Sequence, residues 1–127
     1  MSSPGSPPTS LPSQMQVVLR LSELSRLLDN KTLEIPVLDE AWVRAKSSYR
    51  REFARVFLTT TGPVDVKKQT ASQETADLEL AMDIAEVQVR AAREAIRTLR
   101  DQLDVGRSMN AATRAQAQAD GGTYVGA

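Results

Sequence analysis

The side chains that could carry chemistry in this sequence are carboxylates, hydroxyls and amines, because the chain contains neither histidine nor cysteine. Their absence removes the commonest general base, the commonest metal ligand and any thiolate nucleophile. Neighbouring carboxylates that could share a proton or bind a cation occur at three places, namely Asp39/Glu40, Glu74/Asp77 and Asp101/Asp104. All three pairs lie outside the apolar faces described below, so we predict that they are solvated and that the chain has no metal site.

Hydroxyl groups are plentiful, as at Ser47, Ser48 and Thr59–Thr61, but no strand–turn–helix context surrounds them. Gly62 stands nearly alone, so no glycine-rich loop is present to cradle a phosphate. The threonine run, followed by Gly62 and Pro63, is typical of a helix end. We therefore predict a protein without catalytic residues or a cofactor, which is not an enzyme.

Basic side chains crowd one stretch of the chain and could contact phosphates. A patch of this kind without a known motif is weak evidence for nucleic-acid binding, and a solvated helix face is the simpler interpretation. The residues of this basic patch are Arg44, Lys46, Arg50, Arg51, Arg55, Lys67 and Lys68. Over the whole chain sixteen Lys and Arg balance sixteen Asp and Glu, so only a local patch could attract nucleic acid.

The elements that position these groups are helices, and the clearest one carries a heptad repeat of apolar residues. Their spacing alternates between four and three residues, which places them on one seam and requires a partner helix along it. The seam consists of Leu78, Met82, Ala85, Val89, Ala92, Ile96, Leu99 and Leu103. Val64, Ala71 and Thr75 extend it more weakly upstream, and Gly106 is the weakest point for helix continuity because glycine costs about 1 kcal/mol in a helix interior.

A stripe of charges flanks this seam, with acidic residues first and basic residues after them: Glu79, Glu86, Arg93, Arg100, Arg107 and Arg114. In an antiparallel pair of identical helices these positions face one another, so Glu79 meets Arg114 and Glu86 meets Arg107. The pattern therefore favours an antiparallel homodimer along the seam, centred near Ile96 and Leu99. The alternative is that the charges pair within the chain, for example Glu86 with Arg90 or with residues of the preceding helices.

The remaining segments predict two further helices between two tails. Residues 1–13 are rich in Pro, Ser and Gly and are predicted to be a disordered tail. Helices are predicted at about 14–30, 36–60 and 64–118. The first has Ser13 as N-cap, and its apolar face consists of Val17, Leu21, Leu24 and Leu28. The apolar face of the second consists of Leu38, Trp42, Ala45, Tyr49, Phe53, Val56 and Phe57. Residues 119–127 are predicted to be a frayed tail, which leaves residues 14–118 as a single helical domain.

These elements predict an all-α protein. The simplest arrangement is an elongated helical hairpin, in which the first two helices fold back along one long coiled-coil helix as a three-helix arrangement. No apolar run approaches the roughly 18–20 residues that a membrane span needs, and no secretory signal is visible. We therefore expect a cytoplasmic protein without a membrane partner.

The stretch from Tyr49 to Arg114 resembles small uncharacterised helical proteins encoded by phages of Gram-positive bacteria, especially actinobacteria. The shared pattern is Tyr49-x3-Phe53-Ala54-x2-Phe57-Leu58, a Thr/Gly turn and a long helix ending in Leu99-x3-Leu103-x3-Arg107 and Ala111-Ala112-Thr113-Arg114. Genes of this kind often lie near recombination functions. The resemblance implies a location in the host cytoplasm and an accessory role in phage DNA metabolism, in recombination or replication.

Taken together, these features predict a non-enzymatic adaptor that acts through coiled-coil contacts with proteins, including a second copy of itself. Two alternatives stay open. One is a direct nucleic-acid-binding protein that uses the basic face of the second helix. The other is a virion or assembly component, in which the coiled coil is a structural spacer.

Overall fold

The computed structural model describes residues 13–125, with side chains through Gly121, and helices are the only regular secondary structure in that range. Helix α1 spans Gln14–Thr59, α2 spans Val64–Glu74 and α3 spans Ala76–Val125. The all-α fold class is confirmed. The predicted disordered tail lies outside the described residues except for Ser13.

Helix α1 begins with a capping box. The Ser13 hydroxyl oxygen accepts a hydrogen bond from the Gln16 backbone N–H at 3.2 Å, and the Ser13 N–H donates to Gln16 Oε1 at 2.9 Å. Two backbone donors that a helix start leaves unpaired are thus satisfied reciprocally. The prediction of Ser13 as N-cap is confirmed.

The predicted break at residues 31–35 is wrong, because α1 is continuous and contains Pro36 in its interior. Pro36 lies on the exposed side of the helix, whereas Ile35 and Leu38 beside it are half-buried. Proline removes one N–H from the helical ladder and crowds the preceding turn. Packing of the neighbouring apolar side chains therefore overrides the local helix-breaking signal.

Because Pro36 lies exposed inside a continuous helix, we predict that Pro36→Ala stabilises the protein. The substitution restores one N–H donor to α1 and removes the ring, and part of that gain is offset by the more flexible unfolded chain. The free energy of unfolding should rise by about 2 kcal/mol. Chemical denaturation followed by circular dichroism would measure it, with Ala41→Gly, an exposed α1 position, as a control expected to destabilise by about 1 kcal/mol. A loss of stability in Pro36→Ala would show that the ring is needed where it lies.

The turn after α1 follows the sequence prediction closely. The Thr60 hydroxyl donates to the Val56 carbonyl at 2.6 Å, and the Thr59 hydroxyl donates to the Arg55 carbonyl at 2.8 Å. Gly62 then adopts a φ of 123°, which glycine reaches without the penalty that a side chain would bring. Pro63 precedes the first residue of α2 in an extended conformation.

The predicted third helix is divided at Thr75, which separates α2 from α3. Thr75 is fully buried, and its hydroxyl donates to the Ala71 carbonyl at 2.6 Å. Its backbone, with φ −105° and ψ 10°, departs from helical values. A threonine that hydrogen-bonds back by four residues often bends a helix, which accounts for the division.

The far end of α3 also differs from the prediction. The helix passes through Gly106 without a break, as the predicted span 64–118 requires, but it also includes residues 119–125, which the sequence predicts as a frayed tail. The Gln116 amide donates to Asp120 Oδ1 at 3.2 Å across one turn of this segment. Interactions of this i,i+4 type support a helix where composition does not.

The described residues form two compact units, and the single helical domain at 14–118 stays a prediction. One comprises the described residues up to Leu28 and from Leu99 onward, and the other comprises Asp29–Thr98. In each unit a stretch of α1 packs against a stretch of α3, and in the second unit α2 packs with them. Across the described residues, no helix combines the length and the apolar character that a bilayer crossing needs.

Candidate helix interaction surface

The predicted seam is the core of the protein itself. Ala85, Val89, Ala92, Ile96 and Leu103 are all at least nine-tenths buried, and the three other seam residues are half-buried. The assignment of this seam to self-association is therefore corrected. Its apolar side chains are already covered by the same chain, so a second copy has no open seam to bind.

Helix α1 supplies the covering face through a heptad of its own that runs without interruption. Its members are all buried or half-buried: Val17, Leu21, Leu24, Leu28, Lys31, Ile35, Leu38, Trp42, Ala45, Tyr49, Glu52 and Val56. Lys31 and Glu52 occupy two of these positions, where their long stems can cover apolar surface while their charges reach water. Trp42 is half-buried, and Lys46 Nζ lies 5.5 Å from the centre of its ring.

Leu21 and Gly106 mark a close approach of α1 and α3. A Cβ built on Gly106 would lie 2.6 Å from Leu21 Cδ2, so glycine is what admits the leucine side chain.

Three of the six residues of the predicted charge stripe form ion pairs within the chain. Arg93 donates to Asp39 Oδ2 at 3.2 Å between α3 and α1, and Arg90 donates to Glu86 at 2.7 Å within α3. Arg107 lies 3.5 Å from Asp104. These pairs match the alternative in which the charges are satisfied within the chain, and the complementary stripe no longer argues for a dimer along the seam.

One shallow cleft of about 310 Å³ lies in the unit that contains both chain ends. It is lined by Leu28, Leu103, Arg100, Asp104 and Arg107. The charged lining residues are exposed, and Arg107 lies 3.5 Å from Asp104. Among the described residues, no group of three or more acidic side chains is arranged to hold a metal ion.

The predicted basic patch is partly neutralised. Arg44 is paired with Glu40 at 2.8 Å, and Arg55 is hydrogen-bonded to Glu52. Lys67 Nζ lies 5.7 Å from the centre of the Phe57 ring. Within the described part of the chain, Arg50, Arg51 and Lys68 have no ion pair and are exposed. Lys46, like Lys67, has a ring contact instead of an ion pair, so among the described residues of the basic patch Arg50, Arg51 and Lys68 are the free cations that are exposed and have neither kind of contact.

The Arg55–Glu52 pair shifts the pKa of both groups. Hydrogen bonding from Arg55 holds the pKa of Glu52 below its ordinary value of 4.5, and the same bond raises the pKa of Arg55. Because the folded-state pKa of Glu52 is depressed, the pair stabilises the fold above the unfolded pKa. That stabilisation is lost as the pH falls through the folded value.

We predict that Arg55→Gln returns the pKa of Glu52 towards 4.5, because the cationic donor is removed. Arg55→Lys should give a smaller upward shift, since lysine keeps the charge but lacks the planar fork. Carboxyl titration followed by NMR would measure both. An identical Glu52 pKa in wild type and Arg55→Gln would contradict the assigned cause.

Beyond the predicted residues, the structure reveals an apolar stripe on the outside of α3. Leu80, Ile84 and Val87 are 58%, 50% and 58% exposed, and Ala91 follows them at the next turn, also exposed. We call these four residues the outer stripe. They repeat the four–three–four spacing of the seam on the opposite face of the same helix. On α1, Leu33 and Val37 are also exposed, at 74% and 67%.

The comparisons with known proteins add no constraint on function. No family model, curated protein or solved structure matches the chain.

Proposed function

We propose that this protein is a non-enzymatic helical adaptor whose partners bind the outer faces of its helices. The observation that carries the proposal is the outer stripe. A helix packed on one side normally carries polar residues on the other side, whereas α3 exposes Leu80, Ile84 and Val87 there. Apolar surface of this kind, bordered by charges, is typical of a helix-binding site.

The process in which the adaptor acts is proposed from the resemblance to phage helical proteins. Those genes lie near recombination functions, so the expected partners are proteins of phage recombination or replication. The exposed apolar residues support binding to a protein, because nucleic acid would favour aromatic and basic side chains at the contact.

Affinity capture with three matched proteins tests this function. The wild type should retain a defined partner from cells that express phage recombination and replication proteins. Val87→Gln, in the outer stripe, should lose that partner. Val105→Gln should retain it, because Val105 is equally exposed, at 61% against 58%, on the same helix but outside the stripe. Capture of no protein above background, or equal capture by all three, would contradict the adaptor.

A second candidate function is direct binding of single-stranded nucleic acid through the free cations Arg50, Arg51 and Lys68. Fluorescence anisotropy of a labelled oligonucleotide would test it across a salt series. If three phosphates are contacted, replacing all three residues by glutamine should reduce the slope of log affinity against log salt by about 2. Arg20→Gln serves as control, since Arg20 lies in the other unit and is paired with Glu23. Binding that is absent, or that ignores the triple change, excludes this function.

A further inference from the structure

The outer stripe is flanked by charges that make it complementary to itself. Asp83 and Arg90 lie along the same edge of the stripe, seven residues apart and therefore two helical turns apart. The opposite edge carries Ala81 and Gln88, which are uncharged. An acid and a base at equivalent heptad positions face each other when two copies of the helix run in opposite directions.

The register of the apolar layers agrees with this charge pairing. In an antiparallel pair, each stripe residue faces the complementary heptad position of the other helix, so Ile84 packs against Val87 of a second copy and Leu80 packs against Ala91. This same alignment brings Asp83 beside Arg90 of the second copy, and Arg90 beside Asp83. The apolar and the charged positions therefore select one register independently.

The in-chain contacts leave these groups available. Within the described residues Asp83 has no ion pair, and Arg90 is 73% exposed in its side chain. Arg90 uses one nitrogen to reach Glu86 at 2.7 Å. A guanidinium has five N–H donors, so it can bind a second carboxylate while it keeps the first.

We infer that the outer stripe binds a second copy of this chain, antiparallel, through Ile84–Val87 layers flanked by Asp83–Arg90 pairs. The inference rests on the proposed function in one respect, namely that the chain acts through the outside of its helices. It replaces the seam as the surface of self-association.

The extent of the stripe sets the strength of the dimer. One layer further out, the same register places Asp77 against Glu94 of the second copy, and two carboxylates do not favour contact. Arg97 lies 3.1 Å from Glu94 within its own helix and reduces this repulsion. The interface is limited to four apolar layers. We therefore expect a small interface and a weak dimer that forms at high protein concentration.

Sedimentation equilibrium over a wide concentration range tests the inference, with charge reversal at the flank. Asp83→Arg should raise the dissociation constant about tenfold, because two symmetric attractions become repulsions. Arg90→Asp should do the same. The double variant Asp83→Arg/Arg90→Asp should return to within about threefold of the wild type, since the reversed pairs again attract. High salt should reduce all three effects.

Matched controls separate this surface from a general change of charge or hydrophobicity. Asp101→Arg makes the same charge change on the same helix outside the stripe, and it should leave the dissociation constant unchanged. Val87→Gln should abolish the dimer and Val105→Gln should not. Circular dichroism of every variant would establish that the helices are intact. A wild type that stays monomeric at all concentrations, or a double variant that does not recover, would overturn the inference.

The two proposals fail in different ways. If no dimer forms but Val87→Gln still loses a captured partner, the adaptor stands and the stripe binds a different protein. If the dimer forms as described and no partner is captured, self-association stands and the adaptor function does not.

Discussion

Leu103→Ala should lower the free energy of unfolding by about 2–5 kcal/mol, because it removes a side chain that is 4% exposed and leaves a cavity between α1 and α3. Val105→Ala, two residues away on the exposed face, should change it by less than about 0.5 kcal/mol. Urea denaturation followed by circular dichroism gives both values. The difference between the two variants tests whether the seam residues in this segment of α3 are buried in the core of the protein.

The concentration dependence of that loss separates a core from a dimer interface. If the seam is covered by α1, the cost of Leu103→Ala is the same at every protein concentration. The comparison is best made in the Asp83→Arg background, where association through the outer stripe is weakened. If the midpoint of urea unfolding shifts with protein concentration in that background, the seam is a contact between two chains.

Gly106→Leu should destabilise the protein by about 2 kcal/mol, because overpacking against Leu21 exceeds the gain in helix propensity. A Cβ at this position already falls 2.6 Å from Leu21 Cδ2. Adding Leu21→Ala to the same chain should recover much of the loss, since the new side chain then fills the vacated space. Thermal and urea unfolding of the wild type, the two single variants and the double variant give the free energies for a double-mutant cycle.

Gly121 provides the matched control for this prediction. It lies in the same helix, and a Cβ built on it meets nothing within 4 Å. Gly121→Leu should therefore be neutral or slightly stabilising, through helix propensity alone. If both glycine substitutions have the same effect, close packing at Gly106 is not what distinguishes the two positions.

The apolar periodicity of α3 and the turn at Thr59–Pro63 could be predicted from sequence, because both depend on local spacing and on residues with strong backbone preferences. The continuity of α1 could not be predicted from the same rules, since Pro36 signals a break. The apolar spacing nevertheless indicates a continuous helix. Leu28 and Leu38 are ten residues apart, which is three, four and three, so the heptad register continues through Lys31 and Ile35.

The candidate surface was harder to predict than the fold. The stripe of Glu79, Glu86 and the following arginines fits an antiparallel partner, but sequence alone does not say which helix that partner is. Helix α1 runs antiparallel to α3 and places Asp39 beside Arg93 at 3.2 Å. Only once the seam was covered did Leu80, Ile84 and Val87 stand out as apolar residues without a partner in the same chain.

The glycine turn has a consequence for the order of folding. Contacts next to Gly62 join residues close in sequence, such as Phe57 and Lys67, whereas the contact between Leu21 and Gly106 closes a much longer loop. Loop-closure entropy grows with loop length, so we expect the helices to zip together from the turn outward. Substitutions at Gly62, where φ is 123°, should then slow folding, while substitutions at Leu21 should mainly speed unfolding.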